Sequence, residues 1–205
     1  FPTIQAAVNA ATTGDVIRLG SGVFSGAGNY NVDYDGKAIT IESMTGDPAD
    51  CVIDCQALGR GFTFEGDEDL DSILRGVTVR NGLAGSTLGS VGGAVRCGKP
   101  GFGGIFPDYY GSPTIEDCVF EDCAAAFGGA VSCTTDSAPM LLRCRFESNA
   151  LSFGIGSHDG AGMYVHESSP TLVDCVFVEN DTTVAGGRGG GFFSEASTAH
   201  LHDLS

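Results

Sequence analysis

Three groups of residues in this sequence have types and spacings that could do chemistry. The first is the segment Gly98–Gly111, in which Phe102, Phe106, Tyr109 and Tyr110 surround Asp108. Aromatic rings with one well-placed polar group are the usual lining of a ligand site. Here the rings would stack on sugar faces while Asp108 accepts hydrogen bonds from hydroxyls. The same rings could equally fold down and cover the body of the protein. The second group is Glu65–Asp71, where Asp67, Glu68, Asp69 and Asp71 offer the hard oxygen ligands that Ca²⁺ prefers. Its spacing is not that of a helix–loop–helix calcium site, and such a charge run is ordinarily a solvated turn. The third is the dipeptide His158-Asp159, which has the elements of an acid–base pair, although sequence neighbours need not face one site. His166, His200 and His202 read as exposed variation. A second loop, Ala150–Asp159, carries Phe153 and Ile155. None of the eight cysteines forms a C-x-x-C pair, which argues against zinc.

The charge balance narrows the partners. Ten cations stand against 26 acids, a formal charge of −16. A nucleic-acid surface needs clustered cations, so nucleic acid is excluded as a partner, as is an anionic membrane surface. No apolar run approaches the roughly 20 residues that span a bilayer. Such a charge suits solubility outside a cell and contacts with cations or neutral glycans. The first residue is Phe1, not methionine, so an upstream leader is suspected.

The elements that must position these groups are short and β-rich. Glycine is abundant, at 32 residues, as expected of a chain that turns often. Ile4, Ala7, Val8 and Ala11 lie on one helical stripe, predicting a helix over Pro2–Ala11. Strands are predicted at Val16–Leu19, Gly22–Phe24, Ala38–Glu42, Cys51–Asp54, Phe62–Glu65 and Ile73–Val79, without a second helix. Parallel sheets with helical crossovers are thereby disfavoured. The second half repeats itself. Ser112–Phe120 (SPTIEDCVF), Ala138–Phe146 (APMLLRCRF) and Ser169–Phe177 (SPTLVDCVF) alternate with the glycine blocks before Val95, Val131, Met163 and Phe192. One repeat is one coil of a solenoid, and equivalent positions become columns. Val95, Val131, Met163 and Phe192 should stack inward, as should Cys118, Cys144 and Cys175, and Phe120, Phe146 and Phe177. Val119, Arg145 and Val176 should point outward. The cysteine columns read as reduced, small apolar side chains. The expected fold is all-β: a right-handed parallel β-helix over residues 1–205. Residues 1–14 form the N-terminal cap and 15–205 the coils, with the last coil truncated.

The F-x-x-N sequences Phe146–Asn149 and Phe177–Asn180, with the Gly-Gly-Ala-Val blocks, resemble the repeats of polymorphic outer-membrane proteins. The stretch Thr3–Val8 through Gly14–Ile17 and Gly22–Phe24 resembles the entry segment of pectin-lyase-like β-helices. Together they cover most of the chain and imply an exported or surface-exposed β-helix of the adhesin kind, binding polysaccharide or cell-surface glycan. One coil departs: Cys123 stands where asparagine is expected, so an amide ladder through Asn149 and Asn180 should stop there. The alternative implied by the fold is a polysaccharide lyase or glycoside hydrolase acting on acidic polysaccharide. The chain lacks the paired-aspartate and arginine signatures of those enzymes, so no catalytic residue is assigned. Three convergent carboxylates with an arginine opposite would favour an enzyme, and an aromatic loop on a flat polar flank would favour binding.

Overall fold

The computed structural model describes residues 1–85, 90–99, 109–152, 159–182 and 186–205. Helix α1 (Ile4–Ala10) begins at an N-cap Thr3 whose side chain accepts the Ala6 N–H, the usual remedy for an orphan helix N–H. It buries Ile4, Ala7 and Val8. Gln5, on the opposite side of the stripe, ties it to the first coil: its Oε1 accepts from Asp33 N at 2.8 Å and its Nε2 donates to Asp33 O at 3.1 Å.

The chain then winds through three faces per coil. The first coil is β1 (Val16–Leu19), β2 (Gly22–Ser25) and β3 (Val32–Asp33), and the second is β4 (Thr40–Ser43), β5 (Cys51–Asp54) and β6 (Phe62–Phe64). The third is β7 (Ile73–Arg75), β8 (Thr78–Arg80) and β9 (Val95–Cys97). Next come β10 (Thr114–Glu116), β11 (Val119–Glu121), β12 (Ala124–Ala125) and β13 (Val131–Thr134), then β14 (Met140–Leu142), β15 (Arg145–Glu147), β16 (Ala150–Leu151) and β17 (Met163–His166). Last are β18 (Thr171–Val173), β19 (Val176–Val178), β20 (Phe192–Glu195) and β21 (His200–His202). Corresponding strands pair in parallel. Sheet A runs β1-β4-β7-β10-β14-β18-β21, sheet B β2-β5-β8-β11-β15-β19, and sheet C β3-β6-β9-β13-β17-β20. This is a parallel β-helix with one short helix at its N-terminal end.

The expected columns are present. Register partners run Val95–Val131–Met163–Phe192 in sheet C and Phe120–Phe146–Phe177 in sheet B. Cys118, Cys144 and Cys175 are buried and belong to the same core as the phenylalanines, while all eight cysteines are free. Val119, Arg145 and Val176 are half-buried on the outside of sheet B. Ile73–Val79 differs from its expected single strand: it breaks into β7 and β8 at Gly76, whose φ is +65°. The repeats break at the same place, with left-handed residues at Asp117, Arg143 and Asp174 (φ +54°, +52° and +53°). One left-handed residue turns the chain from sheet A to sheet B, a conformation that costs a non-glycine residue about 1–2 kcal/mol. The first glycine of each block has the same handedness: Gly92, Gly128, Gly160 and Gly189 all have φ between +63° and +67°.

The amide ladder also forms. Asn180 Oδ1 accepts from Asn149 N and Nδ2, and Asn149 Oδ1 accepts from Cys123 N. The amides end at Cys123 but the hydrogen bonding does not. Asn180 Nδ2 donates to Phe146 O and Asn149 Nδ2 to Phe120 O; Cys123 Sγ donates to Val79 O and accepts from Gly82 N. A thiol thus stands in for the amide, with weaker donor and acceptor strength.

Candidate functional site

Sheet C is the face whose outward side chains carry chemistry. Its pleat turns Val32, Phe62, Phe64, Val95, Cys97, Val131, Cys133, Met163 and Val165 into the core. The alternate residues therefore face out. In register they form one row: Asp33, Thr63, Arg96, Ser132, Tyr164 and Phe193. Six strands at about 4.8 Å spacing make this row about 24 Å long. Beside it lie Thr134, His166 and Glu195, also register partners.

One end of the row is acidic. Asp33, Asp35, Glu65, Gly66, Lys99 and Tyr109 line a cleft of about 420 Å³. Asp33 Oδ1 accepts from Asp35 N at 2.8 Å. Burial raises the Asp33 pKa above the usual carboxylate value, and the Glu65 and Asp35 charges push it the same way. The Glu65 carboxylate is ion-paired with the Arg96 guanidinium. This gives the three carboxylates with an arginine that would favour an enzyme, except that the arginine is bound to one of them rather than free across the cleft.

The other end is aromatic. Tyr164 lies parallel to Phe193 (2° between planes, centroids 6.0 Å apart) and to His166 (5°, 6.1 Å), with Phe127 at 5.0 Å from Tyr164. Parallel strands in register set the Tyr164–Phe193 spacing, because equivalent side chains leave the sheet in the same direction, while His166 stands two residues along the same strand as Tyr164. Arg188 closes the row, its guanidinium 4.5 Å from the Phe193 centroid. It is held there by Asp159, a buried carboxylate that accepts from Arg188 Nε and Nη2, both at 2.8 Å. Such a two-point clamp fixes the plane of the guanidinium. Burial raises the Tyr164 phenol to about 12.

The residues singled out from sequence fall as follows. Phe102, Phe106 and Asp108 lie outside the described residues, as do Phe153, Ile155 and His158. Tyr109 and Tyr110 are exposed at the end of the insertion, where Lys99 and Tyr109 pair antiparallel (2.9 and 3.0 Å) and Lys99 Nζ sits 5.6 Å from the Tyr109 ring centroid. The acidic turn meets this insertion directly: Asp67 N donates to Tyr110 O, and Glu68 bridges to Gly111. Glu68 is 3% exposed, and its two oxygens accept from Gly36 N (2.9 Å) and Gly66 N (2.8 Å). Burial raises its pKa. Asp67, Asp69 and Asp71 are exposed, with Asp69 accepting from Asp71 N. Among the described residues no group of three or more His, Cys, Asp or Glu is arranged to hold a metal ion. No described helix is long and apolar enough to cross a membrane. The sheet C row itself was not recognised from sequence. Its signal was the residue after each inward Val95, Val131, Met163 and Phe192, which reads Arg96, Ser132, Tyr164 and Phe193. Those types differ from coil to coil, so no repeat betrays them.

A second cleft, of about 470 Å³, lies between the Thr45–Pro48 turn and Arg143 and Arg145. Asp117 and Glu147 already hold those two guanidiniums.

No family model matches the chain, and no curated protein matches it. Among solved structures, a deglycosylated pectin methylesterase from Aspergillus niger matches 99% of this chain and 81% of its own, at 15% identity and a TM-score of 0.40. The same enzyme in a penultimately deglycosylated form matches at 12% identity and 0.36, with the same coverage. Values this low carry no inference about site or activity, and the strand register alone establishes the fold.

Proposed function

We propose that this protein is a glycan-binding β-helix that works outside the cell, in adhesion or display, through the outer face of sheet C. The observation that carries the reading is the parallel ring row Tyr164–Phe193 with His166 beside Tyr164. Phe193 and His166 are the half-buried members of this row and Tyr164, 9% exposed, backs them; flat rings held on a rigid sheet suit flat sugar faces, and a site built on strands needs little ordering when it binds. The resemblance of the repeats to surface-protein repeats supports the location. The test is a glycan array on the native chain, followed by Phe193→Ala and His166→Ala, both at half-buried positions, with circular dichroism checking that each variant is folded. Binding that drops about tenfold in either variant supports the reading, at about 1–3 kcal/mol per stacked ring by analogy with bases. Absence of binding to every glycan, or binding indifferent to both changes, refutes it.

The second reading is a polysaccharide lyase or glycoside hydrolase, and the acidic cleft favours it. Asp33, with its raised pKa, has the property of a general acid, and Glu65 is the carboxylate nearest it in charge influence. Degradation of a polysaccharide that is lost in Asp33→Asn would put this reading first.

A further inference from the structure

The outer face of sheet A carries a histidine pair that neither reading of sheet C uses. Strand β21 is His200-Leu201-His202, held in parallel register on Thr171-Leu172-Val173 of β18. Leu172 is fully buried, so Leu201, in register with it, takes the inward side and the two histidines leave the same outward face. Both are exposed. Backbone hydrogen bonds pin each of them: His200 N donates to Pro170 O at 2.9 Å, and His202 O accepts from Asp174 N at 3.1 Å. Two residues of strand separate their Cα atoms by about 6.6 Å. Two imidazoles can close that span on one ion, at about 2.0–2.1 Å from each nitrogen.

The surroundings favour a cation. From Phe146 onward the sequence has eight acids and one lysine or arginine, Arg188, which Asp159 already holds. Two of those acids adjoin the pair. Asp203 follows His202, and Asp174 has the same place on the coil before; both are exposed and left-handed, with φ +49° and +53°. Thr171 and Val173, the side chains beside the histidines on the sheet, carry no charge that would repel a cation or pair with an imidazole. The ligand type then selects the ion. Imidazole nitrogen suits copper, nickel and zinc, whereas magnesium and calcium take oxygen. Among the described residues no third His, Cys, Asp or Glu completes the set, so the remaining positions fall to water.

We propose that His200 and His202 chelate one divalent late transition-metal ion, Cu²⁺ in preference to Zn²⁺. The preference follows the general order of affinity at nitrogen sites, in which Cu²⁺ stands above Ni²⁺ and Zn²⁺. The site lies on a different flank of the solenoid from the ring row and is independent of the glycan-binding reading. Calorimetric titration of the full chain with Cu²⁺, Zn²⁺ and Mg²⁺ tests it. The tightest site should hold one Cu²⁺ per chain, bind Zn²⁺ more weakly and leave Mg²⁺ unbound. In His200→Ala and in His202→Ala, each checked for folding by circular dichroism, the Cu²⁺ affinity should fall about tenfold or more, since losing even an outer partner of a ligand costs about 10–100-fold. Electron paramagnetic resonance of the bound Cu²⁺ should show two imidazole nitrogens in the native chain and one in either variant. Absence of Cu²⁺ binding, Zn²⁺ or Mg²⁺ binding as tightly as Cu²⁺, an affinity unchanged in either variant, or a native spectrum without two imidazole nitrogens overturns the proposal.

Discussion

Replacing Phe146 by alanine tests the stacked core most directly. Phe146 is fully buried, with the Phe120 ring centroid at 5.3 Å and the Phe177 ring at 4.4 Å and only 9° from parallel. Stripping a buried phenylalanine to alanine costs about 3–5 kcal/mol, and each aromatic pair adds about 0.5–1.5 kcal/mol beyond area burial. With ring partners on both sides, the loss should fall at the upper end, about 4–5 kcal/mol. At a urea slope of about 2–3 kcal/mol per molar, the midpoint should drop by about 2 M. Phe177 is only half-buried and has one close ring neighbour, with Phe192 edge-on at 6.4 Å. Its alanine variant should cost about half as much. Phe146→Leu, which keeps most of the volume, should cost about 1 kcal/mol and shows that the site tolerates a change. Urea unfolding followed by circular dichroism gives all three. A loss under about 1 kcal/mol in Phe146→Ala, or a larger loss in Phe177→Ala, would mean that the rings do not form a continuous interior column.

Other consequences follow from the same contacts. Asn149→Ala removes the partners of Cys123 N and Phe120 O inside the fold and should cost about 2–4 kcal/mol. Cys123→Asn, which extends the amide ladder by one coil, should change the melting temperature little; a drop as large as that of Asn149→Ala would show that the thiol position cannot take an amide. Gly128→Ala forces a side chain into φ +63° with its Cβ 2.3 Å from Val131 O, whereas Gly26→Ala meets only the φ penalty, with nothing within 4 Å. The first should abolish or severely weaken folding and the second cost about 1–2 kcal/mol, a difference that calorimetry reads. Burial pushes the thiols of Cys51, Cys55 and Cys118 to about 11, about 12 and about 12. A thiol reagent at pH 8 should therefore label the native protein slowly and all eight cysteines after unfolding; rapid native labelling of these three would contradict their burial. Glu68 has a folded pKa raised by burial, so its protonated form is favoured in the fold. Its contribution to stability is fully present below its unfolded value near 4.5 and is lost as pH rises through the folded value. Chemical unfolding between pH 4 and 7 should show this decline, and Glu68→Gln should flatten it.

The sequence by itself determined the winding. A Cys and a Phe two residues apart, recurring after a Pro-led strand, can be buried together only if equivalent residues lie over one another. That placed the inward columns, the outward Val119, Arg145 and Val176, the capping helix and the asparagine ladder. Backbone conformation at single positions was not legible there. Asp117, Arg143 and Asp174 turn left-handed between sheets A and B, and nothing in an aspartate or arginine requires that; the closure of the coil imposes it. The candidate site was decided by tertiary structure alone. Asp33, Arg96, Ser132, Tyr164 and Phe193 are spread over 160 residues of chain and share no motif. They become neighbours because each occupies the same outward position on a successive coil. Burial selects residue type strongly inside the helix, so the columns repeat and can be read. The outward positions do not share that apolar interior, even where Thr63, Ser132 and Tyr164 are covered, so an outward row has no repeating signature until the register of the sheet brings it together.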